Sequence, residues 1–275
     1  MNRPLKNVLM FLVMAGLLFT AVSVFLRDKS RVCTRGSGPE AIAACSFMIQ
    51  YFPLDFMKML FLSKRVSHYE KAGNKTAAMA DLMKMASLRE SGRVKASGKT
   101  MLFIYDRLAT LHSELGNDDA AKQYADLAIS LGTRDPAVYI SRAVFNLNSA
   151  MYNEAVYDLK QAEAMGYDKP PLFLNYGAAY LKLNDYENAF LYLNRAEPLL
   201  SAPEDKGRLN KLLGQACFGT KRYPEAKQRL QSVLDAGFPC PECSETLAVI
   251  NELAQPKPAA KPRGRSRLSG TRNNW

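Results

Sequence analysis

The chain has 275 residues, of which 48% are hydrophobic and 23% are charged. This composition excludes a wholly disordered chain, because enough apolar surface is present to fill a core. The formal net charge of +11 is concentrated towards the two ends and favours an acidic partner or an anionic membrane surface.

Residues 8–26 form the most apolar stretch of the chain and contain no charged side chain. As a helix rising about 1.5 Å per residue, they would extend about 28 Å, which is the thickness of a bilayer core. We therefore predict a short flank at 1–7 and a transmembrane signal-anchor helix at 8–26. A secretory signal cleaved after Ala21-Val22-Ser23 is the alternative, and the apolar residues beyond that site favour the anchor.

Charge and cysteine content disagree about the side of the membrane on which the remaining chain lies. More basic residues follow the span, at 27–35, than precede it, which favours a cytoplasmic body. Cys33 and Cys45 bracket a short Gly-rich turn, and a disulfide there would contribute about 3 kcal/mol in an oxidising compartment. We expect an extracytoplasmic repeat domain, with a cytoplasmic or a secreted one as the alternatives.

Beyond the span the sequence repeats itself. A Tyr-x-x-Ala motif ends at Ala155, Ala189 and Ala226, and Ala121 lies 34 residues before Ala155. Each alanine is followed four residues later by Ala or Leu and three further by Ala or Val, a spacing that lines one face of a helix. A second helix-period stretch precedes each motif, which predicts a helical hairpin. Because a lone hairpin leaves an apolar face bare, we expect the hairpins to stack.

The stretch from Phe173 to Ala196 resembles the tetratricopeptide repeat pattern of a large aromatic residue, Leu-Gly, Tyr, then Ala, Phe and Ala, with Leu193 where Phe is usual. Further departures are Arg142 in place of Leu, and His112, Asn146 and Cys217 in place of Tyr. The resemblance implies an all-α fold, a right-handed α-solenoid of stacked hairpins, and a protein-binding scaffold without enzymatic activity.

The resemblance extends well over residues 101–236 and weakly over 62–88 and 40–53. With a predicted capping helix at 244–254, we place the repeat domain at 32–255. The remaining segment, 256–275, is rich in Lys, Arg, Pro, Gly and Ser and has no acidic residue, which predicts a basic disordered tail. Binding of nucleic acid or anionic lipid through this tail is the alternative function.

No motif predicts catalysis, a cofactor or a metal. Gly98-Lys99-Thr100 is similar to a phosphate loop, but Gly92 is one residue too far away for the required spacing. Cys240 and Cys243 have the spacing of zinc and thiol-redox motifs, yet no further ligands or redox-type fold accompany them, which favours a disulfide or free thiols. His68 and His112 lie in different repeats.

The predicted site is a partner groove, because the first helices of tetratricopeptide hairpins line a concave surface in that family. The register places these residues in it: Phe103, Ile140, Val144, Leu147, Leu174, Ala178, Leu181, Arg208, Lys211 and Gln215. We call this set the first-helix groove. Its middle is apolar and one end is basic, which favours a protein or peptide with apolar side chains and an acidic stretch. The alternative is that Ile140, Val144 and Leu147 contact the facing hairpin.

The register also places Asp106 and Thr110 on this groove beside Phe103. Family members that bind a terminal carboxylate carry Lys or Asn at such positions, so we expect no such activity. The predicted function is a scaffold tethered to a membrane by its N-terminal helix, within an envelope assembly or a secretion complex. We expect no small-molecule substrate and no nucleic acid partner for the groove.

Overall fold

The computed structural model describes residues 3–254, and the side chains of residue 14 and of residues 19–254. Within that part every regular element is helical, with thirteen α-helices and one short 3-10 helix. The all-helical fold is therefore confirmed. The chain divides into two compact units, Met1–Leu199 and Leu200–Trp275. The predicted repeat domain at 32–255 thus includes parts of both units.

Unit 1 consists of helical hairpins packed in series. The second helix of each hairpin packs against the first helix of the next one, as the repeat pattern predicted. The helices are α1 (Arg3–Arg35), α2 (Gly38–Tyr51), α3 (Asp55–Lys71), α4 (Lys75–Glu90), α5 (Gly98–Glu114), α6 (Asp118–Ser130), α7 (Pro136–Asn148), α8 (Tyr152–Ala164), α9 (Pro170–Lys182) and α10 (Tyr186–Ala196), followed by a 3-10 helix (Glu197–Leu199).

Unit 2 contains one further hairpin and a last helix. The elements are α11 (Pro203–Gly219), α12 (Tyr223–Asp235) and α13 (Pro241–Leu253). Helix α13 packs against both members of the hairpin, in the place of the predicted capping helix. It begins before Ser244 because Pro241 suits the first helical turn and the Cys240 sulfur accepts a hydrogen bond from the Cys243 amide.

Capping side chains explain where several of the helices begin. Asn74 accepts a hydrogen bond from the Ala77 amide, Ser97 from Thr100, Asp135 from Ala137 and Asp185 from Asn188. Each of these bonds satisfies an amide that has no partner inside its own helix. The local sequence therefore specifies the starts of α4, α5, α7 and α10.

Close approach of the paired helices depends on small residues at one position of the hairpin. An added Cβ at Gly177 would lie 2.3 Å from Cδ2 of Leu193, and one at Gly214 would lie 2.4 Å from Cδ2 of Leu230. The space beside each glycine is therefore filled by a leucine of the second helix. Ala121, Ala155 and Ala189 are fully buried on those second helices, which agrees with the register of the repeat.

None of the helices, within the residues that the structure describes, combines the length and apolarity required to cross a bilayer. The predicted span at 8–26 lies in α1, and most of its side chains are outside the described set. The transmembrane anchor therefore stays a prediction. The predicted tail at 256–275 lies outside the described residues.

Candidate functional site

A cleft opens in unit 1 between α3 and α5. Helix α5 packs directly on α7, and α7 on α9, whereas α3 and α5 approach each other much less closely. Between α4 and α5 runs the linker 91–97, in which Gly92 has a φ of 71° that a residue without a Cβ adopts freely. The linker lies against the opening and forms part of its wall. We call this opening the α3–α5 cleft.

The larger compartment of the cleft is mainly apolar and has a volume of about 600 Å³. Met59 and Met85 are buried at its floor, and the side chain of Phe103 is 40% exposed at its edge. The lining residues are Met59, Leu60, Ser63, Met85, Val94, Lys95, Ala96, Ser97, Lys99, Thr100 and Phe103. A compartment of this size and polarity can bury a large apolar side chain of a partner.

A second compartment of about 430 Å³ shares Ser63 and Phe103 with the first and is polar. Its other lining residues are Lys64, Ser67, Glu70, Asp106, Arg107 and Asp135. The two compartments meet at Phe103. A partner segment can therefore place an apolar side chain in the first compartment and a neighbouring polar one in the second.

Asp106 is the carboxylate in this compartment that has a buried oxygen, Oδ1, without a hydrogen-bond partner in the described part of the chain. By contrast, Asp135 caps α7 through the Ala137 amide, and Glu70 accepts hydrogen bonds from Nε and Nη2 of Arg107 at 2.8 and 2.5 Å. Leaving a buried acceptor unpaired is unfavourable, so a donor from a partner would be stabilised here.

The electrostatic surroundings of Asp106 also favour a cation. Burial raises the pKa of the Asp106 carboxyl above its ordinary value, and the neighbouring Asp135 raises it further, while Thr133 and Arg107 act in the opposite direction. An ammonium or guanidinium group at Oδ1 would offset both unfavourable contributions. The arrangement can therefore bind a Lys or Arg side chain and disfavours an anionic one.

The structure distributes the predicted first-helix groove over several environments. Phe103 is exposed in the α3–α5 cleft, and Val144, Leu147, Ala178 and Leu181 are half-buried. Ile140 and Leu174 are only 8% and 4% exposed, so they serve mainly as packing residues and offer little surface to a partner. For Ile140 the low exposure is compatible with the alternative of contact with the facing hairpin, which stays a prediction.

The basic end of the predicted groove lies in unit 2. Arg208 is exposed, and Lys211 and Gln215 are half-buried. The Nζ of Lys211 lies 3.2 Å from a carboxylate oxygen of Glu242, which partly neutralises that end of the predicted groove. Acidic-segment binding at this end stays a prediction.

A smaller cleft of about 350 Å³ between α6, α7 and α8 differs from the α3–α5 cleft in its charges. Its Arg142 forms ion pairs with Asp126 and Asp158, and its Lys122 pairs with Asp126. Because these charges satisfy one another, we assign this cluster to the stability of the hairpin.

The remaining motifs of the sequence lie in a helix turn or form disulfides. Gly98, Lys99 and Thr100 form the first turn of α5. Disulfides join Cys33 to Cys45 and Cys240 to Cys243, and Cys217 is a buried free thiol. No cluster of three or more His, Cys, Asp or Glu side chains suited to a metal occurs among the described residues.

Sequence reasoning missed the α3 wall of the cleft, formed by residues such as Met59, Leu60 and Ser63. The repeat pattern is weak in this region, so no register was assigned there. A signal was nevertheless present, because Leu60, Ser63 and Ser67 follow Phe56 at spacings of four, three and four residues along one helix face.

Serial helical hairpins with an open cleft on their first helices define a helical-repeat protein. A sequence model described as "Tetratricopeptide repeat" matches residues 104–131 and 170–197, within the hairpins α5–α6 and α9–α10. The chain therefore contains tetratricopeptide repeats. A comparison with curated protein sequences finds no match.

Three solved structures illustrate the fold. The APC/C hetero-tetramer Cut9-Hcn1 aligns with a TM-score of 0.55 at 19% identity, over 77% of this chain and 39% of that one. BtubC from P. vanneervenii aligns at 0.51 with 16% identity over 85% and 97% of the two chains. A tetratricopeptide repeat protein from Parabacteroides merdae aligns at 0.50 with 12% identity over 84% and 99%. At these identities the similarity concerns the fold. This chain spans well under half the length of the Cut9-Hcn1 chain.

Proposed function

We propose that this chain is a protein-interaction scaffold that binds a segment of a partner protein in the α3–α5 cleft. Stacked helical hairpins expose an extended concave surface, which repeat proteins use for binding. The observation that carries the proposal is the junction at Phe103 between an apolar compartment and the buried, unpaired Oδ1 of Asp106.

The two compartments specify the chemistry of the partner segment. The first takes a large aliphatic or aromatic side chain, because its floor is formed by methionine and aliphatic residues. The second takes a Lys or Arg side chain that donates to Asp106. The partner therefore carries a large apolar residue close to a basic one. This differs from the acidic segment expected from Arg208 and Lys211.

Peptide display tests this proposal. A library of random peptides is selected on the full-length chain in detergent micelles, and the enriched peptides are resynthesised. We expect enrichment of a large apolar residue near Lys or Arg. Binding of these peptides should weaken about tenfold or more, equivalent to about 1.4 kcal/mol, in Phe103→Ala and in Asp106→Asn.

Matched controls separate the cleft from the rest of the surface. Tyr157→Ala removes an aromatic side chain that is 60% exposed on α8, and Asp119→Asn removes an exposed carboxylate on α6. Both controls should bind the peptides as the unmodified chain does. Peptides that bind equally well to Phe103→Ala, or that lack any basic residue, would disprove the assignment of the site.

We also propose that residues 8–26 tether the chain to a membrane, with the repeats on its oxidising side. The uncharged sequence of this segment supports the tether, and the two disulfides support the compartment. Resistance to alkaline extraction from membranes tests the tether. A C-terminal alkaline phosphatase fusion, which is active only outside the cytoplasm, tests the side. Extraction as a soluble protein would refute the tether, and an inactive phosphatase would refute the orientation.

A further inference from the structure

Several large apolar side chains of unit 1 are exposed at one place, where the end of α2 and the start of α3 meet α1. Tyr51 is 62% exposed, Leu54 49% and Phe56 59%, within one short stretch of sequence. On α1, Phe25 is 48% exposed. Such a concentration differs from the scattered apolar residues of an ordinary protein surface.

Ring contacts join Phe25 and Tyr51 through Phe47, and Leu54 and Phe56 follow Tyr51 closely along the chain. The rings of Phe25 and Phe47 are 5.5 Å apart and nearly perpendicular, and those of Phe47 and Tyr51 are 4.6 Å apart. Tyr51 is followed directly by the loop that carries Leu54. We call the set Phe25, Phe47, Tyr51, Leu54 and Phe56 the aromatic corner.

One basic side chain lies next to the aromatic corner, and three others lie on the same stretch of α1. The ammonium group of Lys29 lies 5.6 Å from the centre of the Phe25 ring. Arg27, Arg31 and Arg35 form no ion pair within the part of the chain that the structure describes, and α1 contributes a single acidic residue here, Asp28. Exposed aromatic rings, with Lys29 against one of them and further basic groups along the same stretch of helix, match the interface of an anionic bilayer, where rings lie at headgroup level and cations contact lipid phosphate.

We infer that the aromatic corner docks on the surface of a bilayer that contains anionic lipid. The inference rests on the proposed tether for its orientation. Phe25 is the next-to-last residue of the apolar segment 8–26, so a helix anchored by that segment brings Phe25 to the edge of the hydrocarbon core. Through its contact with Phe47, this also brings Tyr51 to the headgroup region. The first hairpin is then held against the membrane.

Fluorescence quenching in proteoliposomes tests the inference. The full-length chain with Trp275→Phe, which removes the native tryptophan, is reconstituted in vesicles of equal parts phosphatidylcholine and phosphatidylglycerol. One variant adds Tyr51→Trp and the other Tyr157→Trp. The two tryptophans replace tyrosines of nearly equal exposure, because Tyr51 on α2 is 62% exposed and Tyr157 on α8 is 60% exposed. Vesicles with brominated acyl chains quench only tryptophan at the bilayer.

We expect Tyr51→Trp to lose most of its emission in brominated vesicles and to shift to shorter wavelength, and Tyr157→Trp to keep its emission. Circular dichroism checks that both variants retain the helical fold. Flotation on a density gradient reports whether the chain is attached to the vesicles. Floating protein without selective quenching of Tyr51→Trp overturns the docking and leaves the tether standing. Protein that does not float overturns both.

Discussion

Arg142 and Asp158 form a doubly hydrogen-bonded ion pair across the hairpin α7–α8, with Nε to Oδ2 at 2.9 Å and Nη2 to Oδ1 at 2.7 Å. Arg65 and Asp81 form the same pair across α3–α4, at 2.7 and 2.6 Å, and in both cases 16 residues separate the partners. Hydrogen bonding by Asp158 raises the pKa of Arg142, which stays charged. Arg142, which departs from the tetratricopeptide pattern, is thus compensated by a carboxylate.

Removing one partner of the Arg142–Asp158 ion pair should destabilise the folded chain. Asp158 is 1% exposed, so Arg142→Leu leaves a buried carboxylate without its cation and should lower the free energy of unfolding by about 3–5 kcal/mol. The double variant Arg142→Leu, Asp158→Tyr copies Leu108 and Tyr124, which occupy the equivalent positions one repeat earlier. It should recover most of that loss in urea-unfolding experiments.

The neighbouring surface pair supplies the control. Lys122 pairs with Asp126, and its side chain is 38% exposed. Lys122→Ala should therefore lower the free energy of unfolding by less than about 1 kcal/mol. A double variant no more stable than Arg142→Leu would contradict the idea that an apolar pair can replace the ionic one.

Gly177→Ala tests the close approach of α9 and α10. The added methyl group would overlap Leu193, whose Cγ lies 2.4 Å from the position of the new Cβ. We expect a loss of about 1–3 kcal/mol, measured by urea unfolding. Gly98→Ala is the matched control, because its Cβ would meet nothing within 4 Å, and it should leave stability unchanged or slightly higher. Equal effects of the two substitutions would show that the Leu193 contact does not limit packing.

His112 should make stability fall in mild acid. Both of its ring nitrogens are buried without a hydrogen-bond partner in the described structure, and burial lowers the pKa of His112 below its ordinary value of 6.5. The folded state therefore holds the neutral ring. The stability that depends on this neutral ring is fully present above pH 6.5. It is lost as the pH falls towards the folded-state pKa of His112, because the unfolded chain binds the proton first.

His112→Phe keeps the ring that stacks on Tyr124 and removes the titration. We expect a gain of about 1 kcal/mol or more at neutral pH, because two unpaired buried nitrogens are removed. The advantage of the variant over the unmodified chain should increase as the pH falls below 6.5. A difference that stays constant across this range would show that His112 does not titrate on unfolding.

Thiol counting tests the disulfides in protein prepared under oxidising conditions. Of the 5 cysteines, only Cys217 is free, and burial raises the pKa of its thiol to about 11. The folded chain should therefore react slowly with Ellman's reagent, and the denatured chain should show a single reactive thiol. Reduction should expose all 5 and lower stability by about 3 kcal/mol through loss of the Cys33–Cys45 bond. More than one thiol before reduction would disprove the pairing.

Asp106→Asn should separate binding from stability. The folded-state pKa of Asp106 is raised above its ordinary value of 3.8. The unfolded chain therefore loses its proton first, and the stability of the fold falls as the pH rises above 3.8 towards the folded-state pKa. The variant should therefore gain stability relative to the unmodified chain as the pH rises from acid to neutral, while it loses the basic peptides. Loss of both stability and binding would indicate a structural role instead.

The hairpin register was predictable because it depends on local spacing. Ala155 and Ala189, found from the motif alone, are fully buried where the register places them. The open surface was less predictable. Leu174 and Ile140 have the expected position on the first helices, but neighbouring elements cover them. The register predicts Asp106 on the groove side of α5, but the unpaired state of its Oδ1 depends on where Asp135 and Arg107 direct their own bonds.

The amino-acid sequence by itself determined the helices, their caps and their pairing into hairpins, because residues three or four apart share a helix face whatever lies around them. Tertiary structure alone decided where the stack stays open. The α3–α5 cleft, the unpaired Oδ1 of Asp106 and the aromatic corner each depend on distances between residues of different helices. Such distances follow from how whole hairpins pack, and no local pattern encodes them.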